Sequence, residues 1–231
     1  MSVELVERGA RALGPLVSEV VFLGGATLAL WIDDPAAPPP RATKDVDVVV
    51  EVVSRPALHA FERRMRDVGF REDRDDGIIC RWRHRADHEL ILDAMPADPS
   101  LLGFGGRWQQ AALPFAVRRE LPSGIEIRAV SSPFLVATKL EAFEDRGAAD
   151  MLGSRDLDDV VSLFDGRPRL VEEIERAPAD VRSYLGARCR SLVEDGDFRD
   201  AVFGLVRPDR ASQARVETVI IPRLKRVAGR A

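Results

Sequence analysis

Two short stretches decide how this chain folds: LGGATLALW at residues 23–31 and TKDVDVVVE at residues 43–51. The first carries a glycine pair where the β-branched run SEVVFL ends, which reads as a strand breaking into a turn and then a helix through ATLALWI. The second is a valine-rich strand whose first half alternates acids with valines. Alternate residues on a strand share a face, so Asp45 and Asp47 project together while Val46 and Val48 enter the core. Two like charges side by side are costly unless a cation lies between them. Hard oxygen donors at that spacing suit Mg²⁺ or Mn²⁺. Taken alone, the same motif also describes a strand with an exposed acidic edge.

Neighbouring signals favour the first reading. Gly24 and Gly25 at a strand-to-helix turn let a phosphate approach free backbone amides and the positive end of a helix. In HELILDAMP (residues 88–96), Asp93 closes an apolar run, where an unpaired carboxylate facing a core is costly. It reads either as a third ligand to a shared metal or as a strand-end turn. Between the two opening stretches, DDPAAPPPR interrupts all regular structure, because consecutive prolines donate no backbone hydrogen bond.

The rest of the chain separates into two textures. Up to about residue 130, helical patterns at Val3–Leu13 and Pro56–Val68 are interspersed with extended runs: GIICRWRH, HELILDAMP, FAVRRELP and IEIRAV. From Ser132 onward every periodic segment is helical, including SPFLVATKLEAFEDR, SRDLDDVVSLF and RASQARVETVIIPRLKRVAG. The expected fold class is therefore α+β, a sheet domain with interspersed helices over residues 1–130 and a helical domain over residues 131–231.

Composition excludes several classes. The chain has 231 residues, 45% of them hydrophobic, which is ample for a core, and a net charge of −4, which argues against a protein that coats nucleic acid. From Arg207 onward the balance is basic, which fits either a phosphate-touching arm or a solvated helix face. Cys80 and Cys189 have no metal-ligand spacing and read as buried thiols of a reducing compartment. The mixed charges of the first residues form no signal peptide and no apolar run approaches a bilayer span, so the expectation is a cytoplasmic protein with no membrane partner. His59, His84 and His88 lack zinc spacing. RWRHR at residues 81–85 reads either as an outward arginine row or as a nucleic-acid grip.

The ordered series GGATLALW, TKDVDVVV and LILDAM resembles the core of the DNA polymerase β-type nucleotidyltransferases: Gly-Gly or Gly-Ser, then Asp-x-Asp, then a distant third Asp. A glycine stands here where a serine hydroxyl occurs in the other version, and the proline loop lengthens the interval from Gly25 to Asp45. The helical block is similar to that of the AbiEii-type nucleotidyltransferase toxins, in which a Lys-Leu helix precedes an Arg-Asp-x-x-Asp helix; here these are Lys139-Leu140 and Arg155-Asp156-Leu157-Asp158-Asp159. The resemblance covers roughly residues 20–165 and implies a nucleotidyltransferase fold, in which the sheet is mixed, with flanking helices.

It also implies an activity: transfer of a nucleoside monophosphate from ATP or another NTP to an acceptor hydroxyl, with Mg²⁺ or Mn²⁺ as cofactor. Asp45, Asp47 and Asp93 would be catalytic and metal-binding; Gly24, Gly25, Thr43, Lys139 and Asp156 would serve the nucleotide. Only three of the 34 basic residues are lysines, which makes a lysine at this family position notable. Lysine offers a compact charge that reaches phosphate from a helix, against the plainer reading of a surface helix lysine. Asp156 reads as orienting Lys139 or as capping its helix, and Lys44 as the solvated edge of its strand. The implied acceptor is tRNA, another macromolecule or a small molecule, and the toxin relatives imply an antitoxin protein. The rival class is a non-catalytic nucleotide-binding or interaction module that keeps the fold.

Overall fold

The computed structural model describes residues 2–73, 77–103, 105–146 and 150–229. It divides the chain into two compact units, one formed by Met1–Thr27 with Ala42–Ser131, the other by Leu28–Arg41 with Ser132–Ala231. A single cut near residue 130 differs from this in one segment: residues 28–41, including the proline loop, belong with the helical unit. Gly166 explains part of that, since its carbonyl accepts from the amides of Asp33 and Asp34.

The first unit is an α+β structure. Helix α1 (Ser2–Leu13) buries Val6, Ala10 and Leu13, the i, i+4, i+7 stripe visible in its sequence. Strands β1 (Val20–Leu23) and β2 (Asp45–Val50) follow, then helix α2 (Arg55–Asp67) and strands β3 (Phe70–Glu72), β4 (Arg81–His84) and β5 (Ile91–Pro96). The short helix α3 (Arg107–Ala112) precedes strands β6 (Val117–Glu120) and β7 (Glu126–Ala129). Among the described residues these strands form one mixed sheet in the order β3-β4-β5-β2-β1-β7-β6. The pairs β2/β5 and β1/β7 are parallel and the others antiparallel. Val46, Val48 and Val50 are buried, as the period-2 pattern of β2 requires, and Val49, on the face of the two acids, is buried as well.

Several sequence expectations need correction. ATLALWI forms no α-helix; Gly25–Leu30 is a 3-10 helix of six residues. The Thr27 hydroxyl and amide both bond back to the Gly24 carbonyl, which tightens the turn. Of GIICRWRH only Arg81–His84 enters the ladder, and Ile79 is exposed. Strand β3 and helix α3, at three and six residues, carry too little periodicity to show in the sequence.

The second unit is helical: α4 (Ser132–Arg146), α5 (Arg155–Gly166), α6 (Leu170–Glu175), α7 (Ala179–Glu194), α8 (Gly196–Gly204), α9 (Arg210–Arg215) and α10 (Ile221–Ala228). A π-helical turn at Val216–Ile220 joins the last two, just ahead of Pro222, which cannot donate to the ladder. The core includes Leu135, Leu157, Phe164, Leu185 and Cys189. Burial pushes the Cys189 thiol up to about 12, as expected for an inert apolar cysteine.

The basic C-terminal stretch is neither a free arm nor simply a solvated face. Arg215 donates to Asp165 at 2.6 Å and to Asp34 at 2.8 Å. Arg223 caps the end of α5 through the carbonyls of Phe164 and Asp165 at 2.7 and 2.8 Å. Asp165 is 3% exposed, so its charge depends on these partners. Arg215→Met should therefore cost the second unit about 3–5 kcal/mol, because it strands a buried carboxylate. Arg118→Met, which removes an exposed pair with Glu126, should cost less than about 1 kcal/mol. Denaturant titration of both variants tests the contrast, and equal losses would contradict it.

Candidate active site

Three carboxylates reach one face of the first unit's sheet from two adjacent strands. On the parallel β2/β5 ladder Asp47 is the register partner of Asp93, and Asp45 lies two residues before Asp47. Partners across a ladder point the same way, so Asp45, Asp47 and Asp93 share a face. Asp93 is buried, at 7% exposure, and the other two are half-buried.

Local chemistry holds each in place. The Thr43 hydroxyl donates to Asp45 Oδ1 at 2.8 Å. Here Thr43 orients a carboxylate. Lys44 is exposed, in keeping with a solvated strand edge. Asp47 faces Leu23 across the antiparallel β1/β2 ladder, and Gly24 follows directly. Gly24 has φ +74°, and a Cβ placed on it would lie 1.9 Å from Asp47 Oδ2. Only glycine satisfies both constraints. The six-residue 3-10 helix beginning at Gly25 supplies little dipole, so the glycine pair's contribution is close backbone approach to Asp47.

Arg81 is the residue that sequence reasoning misplaced. It belongs neither to an outward arginine row nor to a nucleic-acid grip. It is the register partner of Asp93 across β4/β5. Its Nε and Nη2 donate to the two Asp93 oxygens at 2.9 and 2.8 Å, and Nη2 also reaches Asp45 Oδ2 at 3.2 Å. Arg83, on the same face of β4, bonds buried Asp73, while Trp82 is buried on the other side. Nothing in RWRHR foretells this, because the pairing depends on a register that only the folded sheet defines. Cys80, next in chain, is buried as expected. Burial first, then the nearby Asp93 and Asp47 charges, push its thiol up to about 12, so it stays protonated at neutral pH.

Three hard-oxygen carboxylates on one sheet face are a donor set that fits Mg²⁺ or Mn²⁺. A cation, the Arg81 guanidinium, already draws two of them together. Among the described residues no three acidic, histidine or cysteine side chains converge as a ready metal cage. Asp45 and Asp93 point instead to the guanidinium.

The second unit carries its own charge cluster. Lys139 on α4 is buried, with Nζ 3.1 Å from Asp156 Oδ1 and 2.6 Å from Asp159 Oδ2 on α5. Arg41 forms a fork on Asp159 at 2.9 and 3.0 Å, and Arg146 bonds Asp156 Oδ2. Lys139 is therefore no surface helix lysine. Asp156 faces it, while the α5 N-cap is the Ser154 hydroxyl accepting from Leu157 N. Burial, then the neighbouring Asp159, raises Asp158 above the usual carboxylate range. Arg41 and its pairing with Asp159 escaped the sequence reading, since a proline loop gives no hint of which helix its last residue will touch.

This sheet, with its glycine turn and paired acidic strands, has the fold of nucleotidyltransferase-like proteins. A crystal structure of an antigenic nucleotidyltransferase-like protein from Paracoccidioides brasiliensis matches with a TM-score of 0.51 and 20% identity, covering 88% of this chain and 92% of that one. JHP933 from Helicobacter pylori matches with a TM-score of 0.49 and 13% identity over 99% and 92%. No curated protein matches the chain. Residues 9–220 match the family described as nucleotidyl transferase AbiEii toxin, type IV TA system, and the chain belongs to that family.

The close approach at Gly24 yields a test. Gly24→Ala combines a left-handed backbone with a clash against Asp47, and should cost about 1–3 kcal/mol. Denaturant titration checks this, and an unchanged midpoint would show that the turn tolerates a side chain.

Proposed function

We propose that the chain transfers a nucleoside monophosphate from an NTP to an acceptor hydroxyl, releasing pyrophosphate. The observation that carries the reading is the shared face of Asp45, Asp47 and Asp93 beside a turn that only glycine can make. In the proposed reaction the acceptor oxygen forms a bond to the α-phosphorus, the bond from that phosphorus to the α,β-bridging oxygen breaks, and the acceptor's proton passes to a base. A bound Mg²⁺ or Mn²⁺ would neutralise charge on the triphosphate and lower the acceptor's pKa.

Asp45 and Asp47 would hold that ion, with the Thr43 hydroxyl fixing the direction of Asp45. Asp93 would either complete the ligand set or take the acceptor's proton. Gly24 and Gly25 would let phosphate oxygens close on the backbone. Lys139 would bind nucleotide phosphate, with Asp156 and Asp159 holding its ammonium in one position. The acceptor is tRNA, another macromolecule or a small molecule, and the family implies an antitoxin partner.

Incubation of the protein with each α-labelled NTP, Mg²⁺ and cell extract tests this directly. Wild type should label one acceptor class. Asp93→Asn should keep NTP binding largely intact and lose at least about 100-fold in transfer, the pattern of an interaction needed mainly in the transition state. Lys139→Ala should weaken NTP binding, and Lys225→Ala should not. NTP binding with no labelled acceptor under any condition would favour a non-catalytic binding module instead.

A further inference from the structure

Arg81 is the one member of the carboxylate cluster to which the proposed reaction gives no task. Its side chain is only 12% exposed. Arg81, Asp93 and Asp47 stand in one row across β4, β5 and β2, and Asp45 lies on the same face. Such a row brings three negative charges together, and one fixed positive charge lies among them. A buried carboxylate such as Asp93 needs a partner whenever no divalent ion is present, and the arginine fork supplies one.

The contacts to Asp93 and to Asp45 differ in strength. Toward Asp93 the guanidinium makes a two-pronged bond at 2.9 and 2.8 Å; toward Asp45 it makes one longer contact at 3.2 Å, from a nitrogen already committed to Asp93. Asp45 Oδ2 is thus the oxygen most cheaply given up. An incoming divalent cation would compete for that oxygen and would meet a like charge already in place.

We propose that Arg81 is a built-in counter-cation. It bridges Asp45 and Asp93 while no divalent ion is bound, releases Asp45 when one enters, and so sets the metal concentration at which the protein loads. The inference rests on the metal-dependent reading above. It has a functional consequence: metal alone would bind weakly, and metal arriving with a triphosphate would bind better, because the phosphates offset the arginine's charge. The choice of arginine carries no information by itself in a chain with so few lysines. The placement does.

Mn²⁺ titration without nucleotide, followed by calorimetry or electron paramagnetic resonance, tests the inference in wild type, Arg81→Met and Arg81→Lys. Arg81→Met should bind Mn²⁺ at least about tenfold more tightly than wild type. In chelator it should melt at a lower temperature than wild type, and Mn²⁺ should abolish the difference. Arg81→Lys keeps the charge and loses the fork, and should stay within about threefold of wild-type affinity. Equal or weaker Mn²⁺ binding by folded Arg81→Met overturns the inference while leaving the metal site standing. Absence of Mn²⁺ binding in wild type and both variants overturns the metal reading and this inference with it. Should Arg81→Met not fold, the wild-type Arg81 Nε–H resonance, assigned by its loss in Arg81→Lys, decides: a shift on Mg²⁺ saturation supports displacement, and an unmoved signal refutes it.

Discussion

The parallel register of β2 against β5 is the constraint on which the candidate site depends. It pairs Asp47 with Asp93, two residues far apart in the chain. A slip of one residue would turn Asp93 to the opposite face and bury an acid against the core. In β2 the buried Val46, Val48 and Val50 alternate with Asp45 and Asp47, so a one-residue slip of that strand would exchange valines for acids. The antiparallel register of β1 against β2 then sets Leu23 opposite Asp47, and this brings the Gly24 turn against the Asp47 carboxylate. The position of Arg81 follows from the third ladder in the series.

Both units handle buried acid in the same way. Arg81 serves Asp93; Arg41 and Lys139 serve Asp159; Arg215 serves Asp165; and the buried Arg167 is served in turn by Glu173 and Asp33. Each fork satisfies two carboxylate oxygens or a carboxylate and a carbonyl, and removing one member leaves the other charge buried and costly. The arginine-rich composition is therefore put to structural use. In the first unit this arrangement also touches the proposed chemistry, because the same carboxylates that need an arginine would be the ones asked to hold a metal.

Much of this was legible in the residues. The valine alternation of β2, the stripe of α1 and the proline in the first turn of α2 are local signals, and each element stands close to where its pattern puts it. The order of glycine pair, Asp-x-Asp, third Asp and Lys-Leu helix identified the family, which the match over residues 9–220 bears out. What escaped were facts of register and long-range packing. Arg81 looked like one more arginine on a strand, and its partner is defined by two ladders. Segment 28–41 joins the helical unit through hydrogen bonds to Gly166 that no local pattern encodes. ATLALWI has good helix formers, yet the Thr27 bonds to Gly24 hold its first turn as 3-10.

In the proposed reaction Asp45, Asp47 and Asp93 would form a divalent-metal site for a nucleoside triphosphate. A crystal structure of the protein with Mn²⁺ and an NTP analogue blocked between its α and β phosphates tests it most directly. Anomalous scattering should place Mn²⁺ about 2.0–2.2 Å from oxygens of Asp45 and Asp47, with the triphosphate against the Gly24 turn. Manganese or nucleotide bound at full occupancy elsewhere, with these carboxylates untouched, would contradict it.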